Sequence, residues 1–253
     1  MTANEIYGRL CEWSPMERDK TCDGLVFGDG EREVKTVAVT IIASPAVIRR
    51  ARELGADMIL THEPTFATAL AGEGDPIVTA KRALCEEVGI PILRLHDHMH
   101  FTDVDKINLG VLSRIGLAGD FDGQKTFTLR EPMTAAALIT LICERLALRH
   151  PRYIGDPDRP VRTLSLLFGA WGDARILSEL SRPEVDLAII GEGCEYSICE
   201  YVRDAVELGA PKGLLILGHM GSEKAGMEYL ADKMNELMPD LRAVYIDAGE
   251  VYG

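Results

Sequence analysis

Apolar runs alternate along this chain with stretches of helical spacing. Val34 to Ala43 is a run that reads as a buried strand. Ser44 then supplies an N-cap and Pro45 a first helical residue, and the helix they open runs to a stop at Gly55. Asp57 to Thr61 is the next strand. Residues 77 to 88 have helical spacing and stop at Gly89, Pro91 to Leu95 is a strand, and residues 104 to 115 form a helix ending at Gly116. The Gly/Asp-rich stretch Gly119 to Gln124 marks a boundary. Beyond it the series resumes with a strand at Lys125 to Leu129 and a helix at Thr134 to Leu148. Arg149 to Pro160 is a loop with at most a short strand. Further strands fall at Val161 to Phe168, Asp186 to Ile190, Leu214 to Leu217 and Leu241 to Ile246, with helices from about Asp173, at Glu195 to Leu208 and at Glu223 to Leu237.

This alternation predicts an α/β protein of two three-layer domains with largely parallel sheets. The expected domains are residues 1–120 and 121–253. No short-period repeat is present. The similar order of elements in the two halves is compatible with an internal duplication, although no sequence similarity between them is visible.

Composition narrows the function classes. Hydrophobic residues make up 47% of the 253 positions, enough for a sizeable core, and aromatics only 6%, so that core is aliphatic. The formal net charge of -13 argues against nucleic acid, whose phosphates call for Lys and Arg. No stretch is apolar enough to span a bilayer and no basic-then-apolar leader is seen, so a cytoplasmic protein without a membrane partner is expected. None of the six cysteines forms a C-x-x-C pair, and packed thiols rather than disulfides or a redox pair are expected.

Five of the six histidines lie just beyond strands. Thr61-His62-Glu63-Pro64 follows Met58-Ile59-Leu60. His96-Asp97-His98-Met99-His100 follows Ile92-Leu93. Gly218-His219-Met220-Gly221-Ser222-Glu223 follows Leu214 to Leu217. Ligands of open α/β sheets bind at the carboxyl ends of strands, so these motifs suit a metal site of mixed nitrogen and oxygen ligands. Each has a plainer reading. His62 can be a capping histidine in a polar loop. The H-x-H-x-H run can be a surface loop, or, if extended, can place three imidazoles on one face and Asp97 on the other. Ser222 can be an N-cap, with Glu223 merely complementing the helix dipole. Phe168-Gly169-Ala170-Trp171-Gly172-Asp173 reads as a tight strand-to-helix turn and lacks nucleotide-binding spacing. Ile190-Gly191-Glu192-Gly193 is a similar turn, with Glu192 and Tyr196 available to face a cleft.

Taken together, these segments resemble the NIF-three-like family of dinuclear-metal-centre proteins, also known as type-two GTP cyclohydrolase I. The resemblance runs from about residue 24 to 247. It rests on Gly24 to Asp29, on Val34 to Ala43 with the helix after it, on Ala56 to Pro64, on Ile189-Ile190-Gly191-Glu192, and on Gly218-His219 through Ser222-Glu223. The family usually has two consecutive histidines where this chain has His62-Glu63, and an aspartate where it has His100. The ligand set implied is therefore His62, Glu63, His100, His219 and Glu223, three imidazoles and two carboxylates as in the family, with one pair exchanged. His96, Asp97 and His98 are alternative or supporting ligands. The resemblance further implies two α/β domains with the metals in the cleft and a homo-hexameric ring.

Two divalent ions of Zn, Fe, Mn, Co or Ni would suit such a set. The leading functional expectation is a metal-dependent hydrolase acting on a small molecule, with a purine nucleotide suggested by the cyclohydrolase name. Glu192 is the candidate for orienting substrate or shuttling protons. The rival expectation is a non-enzymatic metal-binding, metal-delivery or regulatory scaffold protein, which needs no open coordination position.

Overall fold

The structure is a computed structural model that describes every residue except 17, 68–70 and 253. In chain order the elements are α1 (Ala3–Trp13), β1 (Gly24–Phe27), β2 (Thr36–Thr40), α2 (Pro45–Glu53), β3 (Met58–Thr61), α3 (Pro76–Val88), β4 (Ile92–Arg94), the short α4 (Asp97–His100) and α5 (Lys106–Ile115). These are followed by β5 (Gly119–Phe121), β6 (Thr126–Thr134), α6 (Ala135–Leu146), β7 (Arg152–Ile154), β8 (Pro160–Leu167), α7 (Asp173–Leu180) and β9 (Leu187–Ile190). A π-helical turn at Glu195–Cys199, α8 (Glu200–Glu207), β10 (Gly213–Ile216), α9 (His219–Leu237) and β11 (Arg242–Tyr245) complete the chain. Among the described residues no helix is long and apolar enough to cross a membrane.

Two compact units result. The first comprises Met1–Lys106 and Met227–Gly249; the second begins at Ile107 and runs to Gly226, with the residues from Glu250. This differs from a simple division at residue 120. The pattern of apolar runs shows where strands are but not what they pair with. β11 pairs in parallel with β2, matching Arg242 to Thr36 and Tyr245 to Val39, so the C-terminal strand belongs to the first sheet. Asn235 of α9 fastens it by exchanging side-chain hydrogen bonds with both backbone groups of Ala243.

The first sheet has the order β1-β4-β3-β2-β11 and is parallel except for β1. The second has the order β5-β6-β8-β9-β10-β7. Only β8, β9 and β10 run parallel there; β5, β6 and β7 pair antiparallel, so this sheet is mixed rather than largely parallel. The central strands β3, β9 and β10 are buried at every position, as continuous apolar runs in covered parallel sheets should be.

Within each unit the same framework recurs. An antiparallel edge strand precedes a β-α-β-α-β run, in order β1-β4-β3-β2 in one and β7-β10-β9-β8 in the other. Helices α2 and α3 cover one face of the first sheet through Val47, Ile48, Ala51 and Cys85. Ile176, Leu180, Ile198 and Val202 do the same in the second. The likeness extends to one side chain. Asp57, just before β3, accepts from the amides of Lys35 and Thr36 while its own amide donates to Thr36. Asp186, just before β9, accepts from Arg162 and Thr163 while its amide donates to Thr163. A carboxylate thus ties the start of one parallel strand to the residues of its neighbour just ahead of their parallel pairing, twice. The duplication left open by the sequence is present in the topology.

Three helix boundaries follow local chemistry. Ser44 caps α2 through the Val47 amide with Pro45 next. Asp75 caps α3, which ends on left-handed Gly89. Thr134 caps α6. Replacing Asp57 or Asp186 by Ala leaves two backbone amides without their charged acceptor. Each change is expected to cost roughly 1–3 kcal/mol in urea-unfolding stability; a loss below the error of the measurement for both would show that the paired motif is not structural.

Candidate metal centre

In the first unit the sequence-predicted ligands come from the ends of β3 and β4. Thr61, the last residue of β3, is fully buried, and its hydroxyl accepts from the Ala43 amide. The His62 amide reaches Thr40 and Ile41, the Glu63 amide reaches Ile41, and the Arg94 Nε donates to the His62 carbonyl at 2.9 Å. The turn after β3 is thereby fixed to both neighbouring strands before either side chain is considered.

The H-x-H-x-H segment is not extended. Asp97–His100 forms a single helical turn, so the three histidines do not share a face. Its shape is set by Asp23, whose carboxylate accepts from three consecutive amides, His96 at 2.6 Å, Asp97 at 3.0 Å and His98 at 2.9 Å. Asp23 also takes the His98 Nδ1 at 2.7 Å, which turns His98 away from the other imidazoles. Ser14, at the end of α1, donates to the His98 carbonyl at 2.6 Å. Burial opposes ionisation of Asp23, but its bonds from His98, His96 and Asp97 outweigh it and hold the carboxyl below its usual range.

His62, His96 and His100 do converge. One ring nitrogen from each lies within 4.8 Å of the others. Each Nδ1 faces an acceptor. His62 Nδ1 lies 3.0 Å from the Leu95 carbonyl, His96 Nδ1 2.9 Å from Asp97, and His100 Nδ1 2.9 Å from Asp105. A carbonyl and carboxylates accept, so each of the three rings presents a protonated Nδ1, and in the neutral ring the lone pair lies on Nε2. Acceptors on the far ring nitrogen are the usual partners of metal-binding histidines. The His62 and His100 Nε2 atoms are 3.2 Å apart, so two lone pairs face one region. A tetrahedral ion with 2.0–2.1 Å bonds to nitrogen has ligands about 3.3 Å apart, so the spacing fits such an ion. His96 stacks on His62 with centroids 4.5 Å apart, and its Nε2 lies 3.9 Å from Glu63, which Arg94 approaches at 4.0 Å.

Asp97 serves this set from behind. Burial works against its charge, but the His96 ring together with the Cys22 amide and thiol hold the carboxyl down at about 2. Asp23, Asp105 and Cys22 were not foreseen. Asp105 lies five residues beyond His100, and that spacing is the only sequence signal for it. Asp23 and Cys22 come from a segment about 75 residues away, for which no local signal exists.

In the second unit Glu192, His219 and Glu223 meet. His219 Nδ1 lies 3.0 Å from Glu192, and its Nε2 lies 3.3 Å from Glu223. Helix α9 starts at His219, earlier than expected, so Ser222 is not its N-cap and Glu223 is beyond the first turn. His219 and Glu223 are instead one turn apart on the same helix face. The Ser222 hydroxyl donates to the His219 carbonyl and accepts from the Gly169 amide. Gly169 has φ +76°, and a Cβ there would fall 2.2 Å from Glu223 Oε1. A Cβ on Gly191 would fall 2.4 Å from the Gly169 carbonyl. The two glycine turns are therefore packing devices that admit a buried carboxylate, and the Gly169 amide is spent on Ser222 rather than offered to an anion. Glu223 is 1% exposed, which a surface dipole partner would not be.

The sequence profile of the Duf34/NIF3 (NGG1p interacting factor 3) family matches residues 1–249. A "GTP cyclohydrolase 1 type 2 homolog" of Clostridium perfringens is 23% identical over 253 residues, covering 93% of this chain and 92% of its own. One of Pyrococcus abyssi is 23% identical over 259 residues, covering 98% of each. Among solved structures, protein ybgI, described as of unknown function, superimposes with a TM-score of 0.81 at 23% identity over 99% of both chains. A Bacillus cereus protein related to NIF3 gives 0.78 at 15% identity over 99% and 98%.

The Asp97 carboxyl ionises at about 2 in the folded chain against an ordinary 3.8. Its stabilising contribution is therefore complete above about pH 4 and is lost as the pH falls through about 2. The stability advantage of the wild type over Asp97→Asn, read from urea midpoints, should shrink over that window. An advantage unchanged down to pH 2 would contradict the assignment.

Proposed function

Because the chain belongs to the Duf34/NIF3 family, we propose that it is a divalent-metal protein whose ions serve hydrolysis of a small molecule. The observation that carries this reading is the convergence of His62, His96 and His100, each with an acceptor at Nδ1 that leaves Nε2 as the ligating nitrogen of the neutral ring. His62, Glu63 and His100, with His96 now favoured beside them, would hold metal in the first unit. His219 and Glu223, paired at 3.3 Å in the second unit, are proposed as metal ligands on the strength of the motif resemblance. Two divalent ions are proposed. Ions of the Zn, Co, Ni, Fe or Mn type suit this nitrogen-rich set better than Mg or Ca. When bound, they supply Lewis acidity for hydrolytic chemistry.

The chain's own groups do the remaining work. Asp105, Asp97 and the Leu95 carbonyl keep the three rings in the ligating tautomer. Glu192, whose side chain is 58% exposed, holds His219 by its Nδ1 and is placed to exchange protons with solvent. It acts as a positioning residue for His219, and a direct part in catalysis would require that it also touch substrate. The relatives named as cyclohydrolase homologues make a purine nucleotide the first substrate class to try.

Purified protein reconstituted with zinc or cobalt should retain up to two ions per chain. His62→Ala and His219→Ala should each weaken binding of at least one ion while circular dichroism stays native. Asp105→Ala, which removes the acceptor at His100 Nδ1, should weaken affinity by about 10–100-fold. GTP and other nucleotides should be tested with the loaded protein by following loss of the purine chromophore. Metal-dependent turnover that disappears in His62→Ala supports the hydrolase reading. Stoichiometric binding without turnover of any nucleotide favours the non-enzymatic alternative, and less than about 0.2 ion per chain at saturation, where a deprotonated His/carboxylate set should bind tightly, sinks both.

A further inference from the structure

On the outer side of His96 lies a second group of donors. Cys22 Sγ, a His96 ring nitrogen and an Asp97 oxygen all lie within 4.8 Å of one another. Sγ is 3.4 Å from Asp97 Oδ1, the same oxygen that sits 2.9 Å from His96 Nδ1. The Cys22 amide donates to the other Asp97 oxygen at 3.1 Å. These donors come from two segments far apart in sequence, and the four bonds into Asp23 hold the segments together. The set is thus pre-organised by contacts that do not use its own donor atoms. His62 and His100 are buried, whereas Cys22 is exposed, so this group is reached from solvent.

We propose that Cys22, His96 and Asp97 form a surface metal site for thiophilic divalent ions, distinct from the buried histidine set but sharing His96 with it. A thiolate, a carboxylate and a neutral imidazole bring two negative charges to a divalent ion. The soft thiolate with the imidazole selects zinc, cobalt or cadmium over magnesium and calcium. Partial burial of Sγ pushes the thiol up to about 12, and the neighbouring Asp97 and Asp23 carboxylates add to this against Arg94. The same carboxylates attract a cation, and a metal ion displaces the thiol proton. On binding, that proton leaves to solvent and the His96 proton moves from Nδ1 to Nε2, where Glu63 lies 3.9 Å away. His96 therefore serves the outer set with its proton on Nε2 and the inner set with it on Nδ1. Three protein donors leave a position open, which makes the outer site a labile point of capture. Only residues of the first unit are needed, and the hydrolase reading is not.

Cobalt titration of the full chain separates the two sites. Sulfur-to-cobalt charge transfer in the near ultraviolet reports Cys22; visible bands report cobalt at either site, and those that survive Cys22→Ser report the buried histidines. The wild type should show a saturable charge-transfer band. Cys22→Ser should lose it while keeping the visible bands of the buried histidines, and its cadmium affinity should fall by about tenfold or more, the scale on which single groups tune such sites. Cys22→Ala, which also removes the hydrogen bond to Asp97, should behave alike. A band of undiminished intensity in Cys22→Ser, with the other five cysteines still present, overturns the proposal. So does a wild type that takes up cobalt with visible bands alone. Visible bands that vanish together with the charge-transfer band in Cys22→Ser uphold the outer site and count against the buried set.

Discussion

The carboxylate of Asp23 decides what the histidine segment is. An H-x-H-x-H run can be a loop or an extended segment; here three consecutive amides converge on one side chain and set a helical turn. Charge-assisted bonds of this kind are about twice as strong as neutral ones. The turn sends His98 to Asp23 and leaves His96 and His100 beside His62. Without it, alternation would carry all three imidazoles to one side, with Asp97 opposite and unable to orient His96. α1 contributes through Ser14, so residues ahead of the first strand help build a site that they do not enter.

The two units show how one framework takes on different chemistry. Each has a carboxylate joining two parallel strands, at Asp57 and at Asp186, and each places its polar residues beyond the equivalent strands. Past β3 stand His62 and Glu63; past β9, the equivalent strand, stand Gly191 and Glu192. Past β4 comes the histidine turn; past β10 comes His219, followed one helical turn later by Glu223. In the first unit the imidazoles are oriented by carbonyl and carboxylate acceptors. In the second, a single imidazole lies between two carboxylates, and two glycines make room for the buried one.

The strand-end placement of the histidines was legible because apolar runs and helix caps mark strand ends directly. Ser44-Pro45 and Gly89 behave as local chemistry requires. Pairing was not legible. Nothing within Arg242 to Tyr245 indicates that it joins β2, and nothing in Thr126 to Thr134 distinguishes an antiparallel strand from a parallel one. The resemblance pointed to Glu63 and His100 as an exchanged pair. The geometry adds His96, whose role depends on Asp97 beside it and on Asp23 and Cys22 far away in sequence. The acceptor for His62 is 33 residues away, and those for His96 and His100, though near in sequence, reach their rings only because Asp23 sets the turn.

The choice of tautomer at these rings is open to direct measurement. Long-range nitrogen–proton correlation spectra of the histidine side chains, recorded without metal and after zinc addition, report which ring nitrogen carries the proton and which is metallated. The account requires His62 and His100 to be protonated on Nδ1 in both states and to shift at Nε2 when zinc binds. Protons on Nε2, or Nε2 signals that zinc leaves unmoved, would contradict it.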